Sequence, residues 1–351
     1  MWRITVRDLQ WRRRRFIVAV AATGLVFAIT LLLTGVIAGL DQESRRIVAS
    51  FGADTWLVHD GTPGPFTATV VLPASIAEDV ARQDGVDRAD PVLLVRATVQ
   101  SPGGEVEDVN LIGLAPGGLG EPEVDEGRAV EAPGEAVLDA GLGRDVGDSV
   151  TVGGRQLEVV GVAGGVSYAF GTRTIYVELA DAQAIAFGGE PVVSAIVVQG
   201  APVDPPPGTT AIDDAAARAD VDRPLARGVE TIDLVRFLLT LTAAGIVGLI
   251  VYLSSIERGR DVAVLKATGA SGAFVAGGLV LQSIVLTLAA ALLACVLAFA
   301  LAPVFPLALQ LEPAAFASLG ALAIVVGILA SLVGVRRALV IDPAAAFGGP
   351  G

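Results

Sequence analysis

The sequence predicts an α-helical membrane protein with four transmembrane helices, one plus three, and a large α+β extracytoplasmic domain between the first and second. Three observations carry this. Four long runs of residues are uncharged, Phe16–Leu40, Phe237–Ile256, Ala267–Leu311 and Ala314–Val335, and a bilayer core takes about 20 apolar residues as helix. The arginine and lysine clusters flank these runs on one side only. Almost all of the acid falls in the single long interval between the first two runs.

The composition, 53% hydrophobic and 17% charged with a formal net charge of −13, excludes a disordered chain, which would be poor in apolar residues. It also excludes an ordinary soluble enzyme, where charged residues come to about 25%. The two properties separate along the chain. Residues 41–235 hold 32 acids and 12 arginines, a net −20. The basic margins lie before Phe16 (Arg3, Arg7, Arg12 to Arg15), after the second run (Arg258, Arg260, Lys266) and in the tail (Arg336, Arg337). Basic residues stay on the cytoplasmic side, so both termini are expected inside and residues 41–235 outside.

In order, residues 1–15 are a cytoplasmic basic amphipathic segment. Trp2, Val6 and Leu9 are spaced for one helix face, with Arg3 and Arg7 beside them, a pattern suited to an anionic lipid surface. Residues 16–40 form transmembrane helix 1. Arg13 to Ile17 has a twin-arginine look. However, a signal-peptide apolar region runs 7–15 residues, this run is 25, and no A-x-A site follows. It reads as an uncleaved anchor. Gly35 and Gly39 give a small-xxx-small packing face.

Within 41–235 the reading is mixed. Phe51–His59, Pro91–Gln100, Val106–Leu114, Thr174–Glu178 and Val192–Val198 read as strands, rich in β-branched residues. Ser149–Val152 and Gln156–Val162 flank Gly153-Gly154 as a hairpin. Pro73–Gln83, Ala180–Phe187 and Ala211–Ala219 read as helices, and Ala136–Leu142 as a helical turn. Residues 236–256 are transmembrane helix 2 and 257–271 a cytoplasmic coupling helix. Residues 272–302 are transmembrane helix 3, ended by Pro303 and Pro306, and 303–313 a short extracytoplasmic loop. Residues 314–335 are transmembrane helix 4 and 336–351 the cytoplasmic tail.

Catalytic signatures are missing from the sequence. A P-loop needs a lysine followed by Ser or Thr, and the one lysine, Lys266, precedes Ala267. One histidine, His59, excludes a two-histidine zinc motif, and reads as a surface residue. One cysteine, Cys295, excludes an intrachain disulfide and reads as packing. Glu121, Glu123 and Asp125 lack the Gly at the sixth position that a calcium loop needs, and read as a solvated acidic loop. Gln282, a polar group in an apolar run, is expected to face another helix.

The most specific segment is Glu257-Arg-Gly-Arg-Asp-Val-Ala-Val-Leu-Lys-Ala-Thr-Gly-Ala-Ser271. Asp261 to Ala267 spans about two helical turns. Val264 and Leu265 supply an apolar side, Glu257, Arg258, Arg260, Asp261 and Lys266 supply charge, and Gly269 stands where a helix ends. Such a segment between two spans is shaped to dock on a partner.

This segment resembles the E-R-x-x-E-I-A-x-L-K-A-x-G-A-S pattern of the FtsX/MacB-type (type VII) ABC transporter permeases. Asp261 stands where the family has Glu, and Thr268 where it often has an aliphatic residue. Arg336 to Phe347 is similar to the family's closing segment. Phe51-Gly-Ala-Asp54, Gly134 to Asp139, Val146 to Val150 and Leu157 to Val162 are similar to its MacB-like periplasmic core domain. The resemblance implies a permease subunit of the cell (inner) membrane, lacking its own nucleotide-binding domain and not itself catalytic. It binds no cofactor directly, since ATP is used by a separate cytoplasmic ABC ATPase. The coupling helix, with Glu257, Arg258, Asp261, Val264, Leu265, Lys266 and Gly269, meets that ATPase. Mechanotransmission relays its motion to the extracytoplasmic domain, for export or lipid and lipoprotein handling. The implied partners are a second permease copy (homodimer) or a related permease, the lipid bilayer and an extracytoplasmic adaptor, with no nucleic acid. The alternative the resemblance leaves open is a non-transporting, FtsX-like regulator of cell-wall hydrolases.

Overall fold

A computed structural model describes residues 13–68, 70–100, 106–164, 172–201, 203–257, 263–264, 266, 268–269, 271–304 and 309–340. The chain divides into two units, Met1–Gly39 with Arg227–Gly351, and Leu40–Ala226. The elements in chain order begin with α1 (Arg13–Ala49), β1 (Thr55–His59), β2 (Leu72–Pro73), α2 (Ile76–Ala81), β3 (Val86–Gln100) and β4 (Val106–Leu114). Next come β5 (Glu126–Gly127), β6 (Glu135–Asp139), β7 (Ser149–Val152), β8 (Arg155–Ala163), β9 (Thr174–Glu178) and α3 (Leu179–Phe187). The rest are β10 (Val192–Val193), β11 (Ala195–Gly200), β12 (Thr209–Ile212), α4 (Asp214–Asp222), α5 (Ala226–Glu257), α6 (Gly272–Leu301) and α7 (Pro313–Val340).

The first unit is a helical bundle. Four helical stretches, Arg14–Ala49, Asp214–Glu257, Gly272–Val304 and Pro313–Arg336, are long and apolar enough to cross a membrane. Helices suit hydrocarbon because they satisfy their own backbone polar groups. Small residues make the helix contacts: Ala243, Ala290, Ala294, Ala298 and Ala323 are buried beside Phe27, Leu31 and Leu319. Large residues point the other way, with Leu249, Leu292, Phe299 and Leu332 each more than half exposed. That inversion suits a bundle solvated by lipid, where close backbone approach replaces the hydrophobic drive of water. One close approach is between α6 and α7, where the Ser283 hydroxyl donates to the Gly327 carbonyl at 2.6 Å. A Cβ at Gly327 would stand 2.8 Å from Thr287 Oγ1 and 3.1 Å from Ile284 Cα. Gln282 is also buried, at 8% exposure. Gly35 packs against the 309–311 segment rather than a helix, its carbonyl accepting the Gln310 N–H at 3.1 Å. Helix α7 opens with Pro313, whose missing N–H costs nothing in a first turn.

The second unit holds a sheet of ten strands in the order β12-β1-β11-β3-β4-β9-β6-β8-β5, with β7 pairing β3 and β8. The pairs β4/β9 and β6/β8 are parallel and the others antiparallel. Strand β3 joins the two halves: residues 86–92 pair with β11 and 93–100 with β4. Pro91 lies just past the last β4 pair, Leu93↔Gly113, where a residue without an N–H is tolerated. Side chains alternate across this sheet. Val92, Ile112, Tyr176 and Val137 face a core with Phe51 and Trp56, and Leu93, Leu111, Ile175 and Leu138 face another with Leu157 and Val159.

The expected β7–β8 hairpin turns at Gly153-Gly154 with Val152 opposite Arg155. Three expectations are corrected. Residues 135–139 are strand β6, between β8 and β9, and only Ala140–Leu142 makes a helical turn. Neighbours on both edges outweigh the helical preference of a short Ala-Leu run. Residues 209–212 are an edge strand on β1, and the helix starts later, after Asp213 caps it by accepting the Ala216 N–H at 2.9 Å. The expected strand Val192–Val198 is broken at Ser194, with β10 on β2 and β11 in the large sheet. The Ser194 hydroxyl accepts the Leu94 N–H at 3.0 Å and donates to the Leu94 carbonyl at 3.1 Å.

Glu135 opens β6 and ties the loop before it. Its carboxylate accepts from both Arg128 end nitrogens and from the backbone N–H groups of Glu131 at 3.0 Å and Ala132 at 3.2 Å. The hydrogen bond from Arg128 is the main reason its pKa is held down to about 2 from the ordinary 4.5; burial opposes it, and the two backbone donors and the Arg128 charge add to the lowering. A depressed carboxylate stabilises the fold above its unfolded pKa and loses that contribution as pH falls through the folded one. Residues 41–235 expressed alone should therefore be soluble and folded by circular dichroism. In that fragment Glu135→Gln should lower the urea midpoint at pH 6, and the gap from wild type should close between pH about 4.5 and about 2. A gap that is constant with pH would contradict this role.

In the bundle, Gly327→Val should destabilise the full chain by about 1–3 kcal/mol through overpacking. Gly320→Ala, with open space around its Cβ position, should leave thermal stability in detergent nearly unchanged. Equal effects of the two changes would refute the close-approach account.

Candidate coupling site

Helix α5 ends at Glu257. Beyond it Ala263, Val264 and Lys266 are helical. The Thr268 N–H donates to the Val264 carbonyl at 3.0 Å, and the Gly269 N–H to the Lys266 carbonyl at 3.1 Å. Gly269 then takes φ +97°, a conformation costly for other residues, and so terminates the turn. Ser271 starts the next helix, its hydroxyl accepting the Phe274 N–H at 3.2 Å. Sequence therefore sets both ends of the segment: a glycine stop and a serine cap two residues on.

Of the residues singled out by sequence, Glu257, Val264, Lys266 and Gly269 are placed, and Arg258, Asp261 and Leu265 lie outside the described residues. Ala263 is buried at 1% exposure and Val264 is 45% exposed. The small residue thus packs inward while an apolar one faces out, as a docking surface requires. Glu257 Oε1 accepts from Arg15 Nη1 at 2.7 Å, so the first residue of the segment is tied to the start of α1. Both partners are substantially exposed, and such pairs contribute about 0–1 kcal/mol. The pair fixes position more than it adds stability. Arg15 was not singled out from sequence, because in a run of four arginines nothing marks one for a specific contact. Ala263 had a signal: it matches the Ala of the resembling pattern.

The other candidates are plainer. His59 ends β1, its Nδ1 2.8 Å from the Asp60 carbonyl. Cys295 is half-buried among the alanines of α6. In the acidic loop, Glu121 accepts the Gly117 N–H at 3.3 Å and Asp125 the Gly164 N–H at 2.6 Å. These carboxylates fasten loop backbone.

A family model described as MacB-like periplasmic core domain matches residues 16–218, and one described as FtsX-like permease C-terminal matches 234–343. The chain belongs to the FtsX/MacB-type ABC transporter permeases. The permease is 40% identical over 345 residues to an uncharacterized ABC transporter permease of Mycobacterium bovis, covering 98% of this chain and 99% of the relative. A second such permease, of Mycobacterium tuberculosis, is 38% identical over the same length and shares. The periplasmic region of MacB from Actinobacillus actinomycetemcomitans aligns with 50% of this permease and 95% of its own length, at 13% identity and TM-score 0.37. With four apolar helices the permease is a multi-pass membrane protein, and as part of an ABC transporter it works with an ATPase.

If the Arg15–Glu257 contact positions the segment, Arg15→Glu or Glu257→Arg should lower the permease-stimulated rate of its ATPase two- to tenfold, roughly 0.4–1.4 kcal/mol. The double exchange should recover it. Failure of the exchange to recover any rate, with each single variant impaired, would count against the pairing.

Proposed function

We propose that this permease relays ATP-driven motion of a separate cytoplasmic ATPase to its inserted, extracytoplasmic domain, in the service of export or of lipid and lipoprotein handling. The observation that carries the reading is the segment between α5 and α6. It presents an exposed apolar residue, Val264, between a tethered glutamate and a glycine stop. A short helical element of this kind on a basic, cytoplasmic margin is suited to a groove in an ATPase. It binds no cofactor itself, and ATP is turned over by the partner. The two termini lie in the cytoplasm and the protein in the cytoplasmic membrane, as the basic margins favour. A second copy completes the assembly, with an extracytoplasmic adaptor as a further partner.

Two further features support a relay. Helix α1 is one element from Arg13 to Ala49, although its uncharged run ends at Leu40. It contributes Phe27 and Leu31 to the bundle core and Ile47 and Val48 to the sheet core. Among the described residues the buried polar side chains of the bundle are all uncharged: Thr23, Thr30, Ser254, Ser255, Gln282, Ser283, Thr287 and Ser331. That set favours motion over a polar path through the helices.

Leu265→Asp or Gly269→Pro should abolish stimulation of the ATPase while membrane insertion and yield stay normal. A normally active ATPase complex containing either variant would refute the assignment. Export of lipids, peptides and drugs in a deletion strain separates the two physiological roles. A cell-separation defect with intact export would establish the regulator of cell-wall hydrolases instead.

A further inference from the structure

We propose that the inserted domain binds an anionic amphiphile, an acyl chain carrying a carboxylate or phosphate head, in a cavity whose wall holds Arg96. The cavity measures about 600 Å³, within the ~300–1,000 Å³ of small-molecule sites. Its walls include Phe66, Leu94, Ile112, Phe187 and Val221. The Phe66 wall is held in place by Asp220, a fully buried carboxylate that accepts the backbone N–H groups of Phe66 at 2.8 Å and Thr67 at 3.1 Å. It also accepts the Thr67 hydroxyl. The cavity is therefore shaped before any ligand arrives.

Its polar groups choose the ligand. The hydroxyls of Thr67 and Ser194 are already committed, to Asp220 and to the Leu94 backbone. Arg96 is different. Among the described residues it has no ion-pair or hydrogen-bond partner. Arg45, Arg82, Arg88, Arg128, Arg155, Arg173 and Arg223 each lie within 4.0 Å of a carboxylate; among the described residues Arg46, Arg96, Arg144, Arg218 and Arg227 do not, and of these Arg96 is the one on the cavity wall. In a segment with 32 acids to 12 arginines, a guanidinium without a carboxylate on the wall of an apolar cavity is set for an anion from outside. No acidic side chain is among the described residues of the lining. A peptide would bring backbone groups that these walls leave unsatisfied, at a cost of about 1–3 kcal/mol each. A chain of methylenes brings none. The site is independent of the ATPase relay and goes beyond it.

The test uses the full-length chain in nanodiscs with a diazirine-bearing palmitate analogue, mapping cross-links by mass spectrometry. Labelling is expected on peptides carrying Phe66, Leu94 or Phe187. Palmitate and lysophosphatidylglycerol should compete, their ranking separating a free fatty acid from a lipid headgroup, while inorganic phosphate and hexadecanol should not. Arg96→Gln, at an exposed position, should weaken competition by palmitate about tenfold, the loss of one charge-assisted hydrogen bond. Val221→Trp should reduce labelling by filling the cavity, and if it fails to fold the Arg96 variant still decides. Labels confined to the four apolar helices would overturn the proposal. So would competition by hexadecanol equal to that of palmitate, or an Arg96→Gln protein indistinguishable from wild type.

Discussion

A bilayer core offers no water to a peptide group, and that constraint shapes the rest of this molecule. It demands uninterrupted helices, and it removes the hydrophobic drive that packs helices in water. Contact must come from close approach, which is why alanines fill much of the bundle interior while Leu249, Leu292 and Leu332 lie outside. The Ser283–Gly327 hydrogen bond illustrates the consequence: with no Cβ on α7, a hydroxyl of α6 reaches a backbone carbonyl at 2.6 Å. A larger residue there would hold the helices apart along their length.

Charge is then excluded to the ends of the helices and to the inserted domain. The domain takes the acid and has to be stable despite self-repulsion. It does so by spending carboxylates on backbone. Asp220, Asp181 and Glu135 each accept loop N–H groups, so that irregular segments are pinned to strands and helices by groups that a neutral domain would leave to water. Arg155, 45% exposed, reaches the buried Asp181 at 2.6 Å and balances its charge. Arg96 is the arginine that lines the cavity, and among the described residues no carboxylate lies within 4.0 Å of it.

Much of this was legible in the sequence, for reasons that differ by element. The four apolar helices were plain because each uncharged run is longer than any buried soluble helix needs. The β7–β8 hairpin was plain because Gly153-Gly154 readily takes the positive φ at both positions that a tight two-residue turn needs. The coupling segment was found by its charge pattern and its glycine stop, then by resemblance. Strand β6 was misread because Ala136–Leu138, buried from both faces, shows no alternation to tell strand from helix. Strands β2 and β5, two residues each, are created by their partners and have no local signal. The Arg15–Glu257 contact joins residues 242 apart, and no local pattern specifies such a pairing. The cavity was likewise invisible, since it depends on how Phe66, Leu94 and Val221 are gathered by the sheet.

The central claim is that work done at the cytoplasmic segment reaches the inserted domain. It is tested most directly by a distance measurement across two copies of the permease. Spin labels at Glu190→Cys, an exposed site after α3, in a Cys295→Ser background, would be read in nanodiscs with the partner ATPase bound. The account predicts that the distance distribution between the two copies shifts when ADP is replaced by ATP and vanadate. An unchanged distribution, in a complex that hydrolyses ATP at full rate, would contradict it.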